Sequence, residues 1–457
     1  MEPVEESVAE PVEKILEEAT NKITEDPVEE ISEESIKEVS KERVKKEKPI
    51  DDVTIQFIRN ELRRVHFHRR KTYRDRSVNE FRTALGKQLC DVEYTTEFVK
   101  TEAIQLRKKT LDAQAYSALQ MALIQSENHI NAFFKVANAV LALGRDLSGS
   151  STQAKLAAAN CCCNLSLGNS KACAALTEFV GPYLIAELES ANEPLVEVCA
   201  WTIGNLACRS SKAFKILHAQ ACIKSLIVVA EKSSDELLPA LSYALLRYIY
   251  TGYHMIEQTD IIQVGEILAA KYPKISDHDT LWLLALLSSK DIKKYDFLIK
   301  CTPALCDFLI TNSEDEIENI DKFTASLRIL TNLVTEPTGE VASHLFQNEF
   351  YVNSNFFEDL LANEYPHIKT ETLWLIGNLY NHPVESIREQ IKNIVDFLQI
   401  NIANVMKSYK ALTSKNPKIS GTNCLESSEE EEEEDILSMQ GGCAMLKYML
   451  PMMVADT

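Results

Sequence analysis

From about residue 93 to residue 412 the apolar residues fall into helical blocks, and one block sets the pattern for the others. In Cys199–Cys208 a tryptophan and an asparagine stand four residues apart, so on an α-helix Trp201 and Asn205 share one face while the apolar residues between them turn into a core. The arrangement returns in Thr372–Tyr380 with Trp374 and Asn378. Weaker copies, aligned on the asparagine slot, end at Asn164, Arg247, Leu286 and Asn332, with Trp282 in the tryptophan slot before Leu286. The six slots at 164, 205, 247, 286, 332 and 378 are separated by 41, 42, 39, 46 and 46 residues. A period of about 40–47 residues belongs to two- and three-helix repeat units of the armadillo and HEAT type, which bury their apolar faces only by stacking. The pattern therefore predicts an all-α, right-handed superhelical solenoid over 93–412.

Ahead of the first slot the pattern predicts helices at Thr95–Thr110, Asp112–Ser126 and Asn131–Leu147, with Gly144 and Ser148–Ser151 ending a degenerate first repeat. Gly252-Tyr253-His254 separates the third repeat from the fourth, an acidic loop runs over Ser313–Asp321, and helices continue from Val384 to about Ala411. The apolar, Met-rich stretch 436–457 is predicted to return as a helix that caps the last repeat.

Charge divides the remainder. The chain of 457 residues has a net charge of -20. Residues 1–52 are predicted to form a disordered acidic tail, since the first 50 hold 15 Glu and one Asp against seven Lys and one Arg. Residues 413–435, with the run Glu429–Asp435, are predicted to be a solvated linker. Between tail and solenoid the sign reverses: Arg59–Leu89 carries eight Arg and two Lys against Glu61, Asp75 and Glu80. Within this basic segment, 53–92, Val78, Phe81, Ala84 and Leu85 step at three and four after Ser77, which predicts an amphipathic basic helix with Ser77 as its N-cap. Nucleic acid is a poor partner, because the chain as a whole repels phosphate and only Phe67 and Tyr73 interrupt the basic cluster as stacking aromatics. An acidic protein surface fits the segment better.

Other chemistries find no support. The chain has no Gly-rich phosphate loop, nucleophile elbow or paired metal-ligand spacing, so neither an enzyme nor a metal or other cofactor is expected. Cys161, Cys162 and Cys163 are consecutive on a predicted helix, cannot converge on one ion, and read as small buried hydrophobes. The 12 cysteines without a metal pattern suit a reducing compartment, and no apolar run approaches the length of a membrane span.

Set before such repeats, Arg76-Ser-Val-Asn-Glu-Phe-Arg82 resembles the importin-β-binding segment of the importin-α family, and the whole pattern resembles a divergent relative in that family. The resemblance implies that Arg63, Arg64, Arg69, Arg70, Lys71, Arg74, Arg76, Arg82 and Lys87 contact importin-β. It also implies that Trp201, Asn205, Trp374, Asn378, Asn164, Asn332 and Trp282 line a groove for the basic peptide of a cargo, with Glu197, one turn before Trp201, reading ammonium groups. An asparagine amide can clamp a peptide backbone, and indole walls can receive lysine stems. Arg247 places a cation in the same row, where it repels a basic cargo. The competing role for the asparagines is an inter-repeat hydrogen bond at helix ends. The implied protein is a transport adaptor of cytoplasm and nucleus, a monomer or an autoinhibited monomer, with the basic helix on importin-β and the groove on cargo. In a second reading an armadillo scaffold grips another helix or peptide while the basic segment folds back as an autoinhibitory pseudo-ligand. The alternative is an armadillo scaffold without transport activity.

Overall fold

The computed structural model describes residues 82–85, 92–274, 276–290, 296–312, 319–347, 351 and 356–398. All of them fall in one compact unit, His66–Thr457. The acidic tail, the linker 413–435, the terminal helix 436–457 and most of the basic segment lie outside the described residues.

The protein is an all-α, armadillo-type solenoid. Its first repeat comprises α1 (Thr96–Lys108), α2 (Ala113–Gln125), α3 (Glu127–Phe134) and α4 (Ala139–Leu147). Thr95 and Asp112 cap α1 and α2, their side chains accepting from the amides of Phe98 and Ala115. The single helix expected over Asn131–Leu147 is instead two, because the chain turns at Asn138, whose φ of 65° is left-handed and cannot continue a helix. Gly144 does not end the set; it lies inside α4, where an added Cβ would come 3.1 Å from the Tyr183 ring.

The repeats that follow are built from α5 (Thr152–Leu165), α6 (Ser170–Glu187), α7 (Glu193–Arg209), α8 (Ser211–Ala219), α9 (Cys222–Lys232), α10 (Leu238–Gly252), α11 (Gln258–Lys271) and α12 (His278–Ser288). After a 3-10 turn at Asp296–Cys301 come α13 (Thr302–Thr311), α14 (Ile320–Leu333), α15 (Glu340–Gln347), α16 (Phe356–Ala362), α17 (Pro366–Tyr380) and a helix over 385–398.

One row of helices orders the rest: α2, α5, α7, α10, α12, α14 and α17 pack each on the next. All six slots of the sequence repeat lie on the last six of these helices. A helix packed on both sides must be apolar nearly all round, which explains why Cys161, Cys162 and Cys163 in α5 are all fully buried. Burial raises all three thiols, that of Cys163 to about 12, so they pack as neutral side chains. Among the described residues no single helix is long and apolar enough to cross a membrane.

Candidate functional site

Arg82–Leu85 is extended, not the end of a helix. The correction has a physical cause: the backbone groups that a helix would satisfy internally are taken by asparagine side chains of the solenoid. The Thr83 amide donates to Asn205 Oδ1 at 3.1 Å, and Asn205 Nδ2 donates back to Thr83 O at 2.9 Å. One helix earlier, the Leu85 amide donates to Asn164 Oδ1 at 2.9 Å, and Asn164 Nδ2 donates to Leu85 O at 3.1 Å. Residues two apart in an extended chain present their backbone groups on the same side, so successive repeats read alternate residues. The later repeat holds the earlier residue, and the segment runs antiparallel to the order of the repeats.

Two further contacts fix it. Tyr243, which occupies the tryptophan slot of α10, receives the Thr83 amide on its hydroxyl at 3.0 Å and donates that hydroxyl's hydrogen to Asn205 Oδ1. The ring can come this close because residue 204 is glycine; a Cβ there would stand 2.7 and 2.8 Å from two Tyr243 ring carbons. Arg82 Nη1 donates to Ser166 O at 2.7 Å and Gly168 O at 3.0 Å, the carbonyl-rich end of α5. Burial lowers the Arg82 pKa, and Arg209 adds to the effect. Leu85 packs against the core.

The asparagines also make the inter-repeat bond that was the competing reading. Asn164 Nδ2 donates to Gln120 O of α2 at 2.9 Å, and Asn205 Nδ2 donates to Ser166 Oγ at 2.9 Å. A primary amide has two N–H donors; at these positions one ties neighbouring repeats and the other bonds the carbonyl of Leu85 or Thr83. At Asn332 and Asn378 the structure supplies the first kind of bond, to Ser288 Oγ at 3.0 Å and to Thr331 O at 2.8 Å. The slot residues lie on the packed row of helices, and among the described residues Asn164, Asn205 and Tyr243 bond the backbone of Thr83 and Leu85.

Further along, the row is filled by the chain's own cations. Arg247, 6% exposed, lies 3.5 Å from the centroid of the Tyr243 ring and donates to Asp279 Oδ1 at 2.9 Å. Burial favours a protonated Asp279, but His278 and Arg247 together hold its carboxyl below the usual range. Arg328, in the tryptophan slot of α14, sits 5.0 Å from the Trp282 centroid and binds Glu371 Oε1 through Nε at 2.8 Å and Nη2 at 2.5 Å. The indole of Trp282 therefore already faces a guanidinium from within the protein. Trp201 and Trp374 are half-buried in their rows. Glu197 is half-buried, its carboxyl raised by burial, and makes no ion pair among the described residues. Of the basic residues assigned to importin-β, Arg82 alone is described, and it faces the groove; Arg63, Arg64, Arg69, Arg70, Lys71, Arg74, Arg76 and Lys87 lie outside the described residues.

Sequence reasoning passed over Tyr243, Ser166, Asp279 and Glu371. The last two carried a signal: each acid stands three residues before a tryptophan, one repeat after an arginine placed in the row.

No protein-family model matches the chain. Over 251 residues it is 25% identical to importin subunit alpha-9 of Arabidopsis thaliana, covering 52% of this chain and 47% of that protein. The chain thus spans about half the length of the curated relative it matches. Among solved structures it is similar to the designed armadillo repeat protein YIII(Dq)4CqI, at 17% identity and a TM-score of 0.41 over 51% of this chain and 99% of that one. It is also similar to the designed armadillo repeat protein YIII(Dq.V1)4CPAF, solved in complex with the peptide (KR)4, at 15% identity and a TM-score of 0.31 over 65% of this chain and 98% of that one. The chain folds as an armadillo-type solenoid and has weak sequence similarity to an importin subunit alpha.

Proposed function

We propose that the protein is an importin-α-like adaptor of cytoplasm and nucleus, whose groove clamps an extended peptide and whose basic segment exchanges between that groove and importin-β. The observation that carries this reading is the paired grip of Asn205 on Thr83 and of Asn164 on Leu85. Those bonds use only backbone groups of the segment, so the same clamp suits any extended chain, including a cargo peptide. Seated in its own groove, the segment competes with cargo at the high effective concentration of a tethered ligand. A partner that draws the basic segment away frees the groove.

The test is titration of importin-β onto the full chain at near-physiological salt, where weak unspecific charge attraction is screened. Submicromolar binding, weakened at least about tenfold by the triple substitution Arg69→Ala, Arg70→Ala and Arg82→Ala, is the expected result. Unchanged binding by the triple variant would sink the assignment of that segment.

A second reading, a protein-binding scaffold without transport activity, is favoured by the filled rungs beyond Asn205. Arg247 with Asp279, and Arg328 with Glu371 over Trp282, occupy positions that a long basic peptide would otherwise enter. Absence of any importin-β complex, with peptide binding to the groove retained, would select it.

A further inference from the structure

The seated segment is a sample of what the groove accepts, and its side chains meet an environment different from one suited to a lysine-rich peptide. Arg82 spends one terminal nitrogen on two carbonyls, Ser166 O and Gly168 O, which the turn after α5 holds in place. The two N–H bonds of a guanidinium nitrogen lie in one plane at a fixed angle, so a rigid pair of acceptors matches them. An ammonium is more strongly hydrated and presents its hydrogens tetrahedrally; in the same half-buried place it gives up more water for a poorer fit.

The next rungs of the row are already occupied by the chain's own guanidinium groups, each held by an acid. Because the segment runs antiparallel to the repeats, a ligand continued on the N-terminal side of the arginine heads towards α10 and α12. Arg247 occupies the asparagine slot of α10, and Arg328 lies over Trp282 of α12. At the clamp itself the Tyr243 hydroxyl bears on the Thr83 amide, and three residues after the arginine Leu85 lies against the core.

We infer that the groove selects extended peptides with one arginine and an aliphatic residue three positions after it, and that it discriminates against lysine-rich runs. The inference rests on the reading above that the groove takes a peptide from another molecule.

The experiment uses the full chain carrying Thr83→Pro, which removes the amide hydrogen given to Asn205 and Tyr243 and so loosens the tethered competitor without touching the groove. A second background, Arg82→Ala with Leu85→Ala, guards against misfolding of the first. Into each are titrated labelled peptides spanning 79–88: the natural sequence, its R82K and L85A forms, and a lysine-only peptide of equal length. The natural peptide is expected to bind, and R82K and L85A to bind at least about fivefold more weakly, roughly 1 kcal/mol. The lysine-only peptide is expected to be weakest. A lysine-only peptide that binds as tightly as the natural one overturns this specificity while leaving the groove intact. If neither peptide binds either background, or if adding Asn205→Ala changes nothing, the groove reading itself falls and the specificity falls with it.

Discussion

Asn205 holds both backbone groups of Thr83, a residue 122 positions away in the chain, while its remaining amide hydrogen ties α7 to Ser166. One side chain thus joins the stacking of two repeats to the seating of a peptide. Replacing it removes both at once. Asn205→Ala is expected to cost about 1–3 kcal/mol of stability, the range for deleting one partner of a buried hydrogen-bonded set. It is also expected to release the segment. Trypsin cleavage at the Arg82–Thr83 bond reads the release directly, because the bond is held in the clamp when Asn205 is present. Faster cleavage well below the melting temperature is the expected result; equal rates in both proteins would show that the clamp contributes little.

Gly204→Ala tests the same clamp from below without deleting a polar group. The new methyl would meet Cε1 and Cδ1 of Tyr243 at 2.7 and 2.8 Å and Ala244 Cα at 3.2 Å. The ring can swing away, but the backbone of α10 cannot easily follow. Overpacking of this kind costs about 1–3 kcal/mol, although alanine gains up to about 1 kcal/mol of helix propensity over glycine. The expected net effect is a lower melting temperature together with weaker seating of Thr83, since Tyr243 leaves its amide. A more stable Gly204→Ala protein would show that the close approach is not needed.

The architecture was legible because stacking imposes a period, and slots about forty residues apart survive even when the slot residue changes to Arg247 or Leu286. The starts of the first two helices, at Thr95 and Asp112, could be read from the sequence, and the structure shows both residues as N-caps. The break at Asn138 could not, since the apolar spacing continues through it. Nor could the extended course of Arg82–Leu85. Its apolar positions fit a helix, and what decides against the helix is a pair of amides 79 and 122 residues away. The candidate site was legible as a row of positions, but not in its occupancy: Trp282 looked open in the sequence, and it is the partner of Arg328.

The Arg328–Glu371 pair should behave as a partly buried pair. Glu371 is 2% exposed while the Arg328 side chain keeps 16% exposure, so Glu371→Gln leaves a partly solvated guanidinium facing a neutral group. Deleting one charged partner of such a bond costs about 1–3 kcal/mol. Replacing both partners by apolar residues of similar volume, Arg328→Met with Glu371→Leu, should recover most of the loss, because the desolvation of both charges disappears with them. Urea unfolding of Arg328→Met, of Glu371→Leu and of the double variant measures this coupling. Additive losses in the double variant would mean that the two residues act independently.

His367 sets an expected pH dependence near neutrality. Burial lowers its pKa from 6.5, Arg328 lowers it further, and Asp321 and Glu371 act in the opposite direction. The native state therefore favours the neutral imidazole, and the unfolded chain takes up its proton first as the pH falls. Protons bound preferentially by the unfolded chain shift the balance towards it, so this contribution to stability is fully present above about pH 6.5 and is lost as the pH drops towards the folded-state pKa. His367→Asn should flatten the melting temperature in that window and leave it little changed at higher pH. Since Arg328 lowers the His367 pKa, Arg328→Met should raise it towards 6.5 and narrow the window from its acid side; because burial is the larger cause, the window is expected to persist. Thermal unfolding across pH 5–7.5 for the three proteins decides it, and an unchanged slope in His367→Asn would remove the histidine from the account.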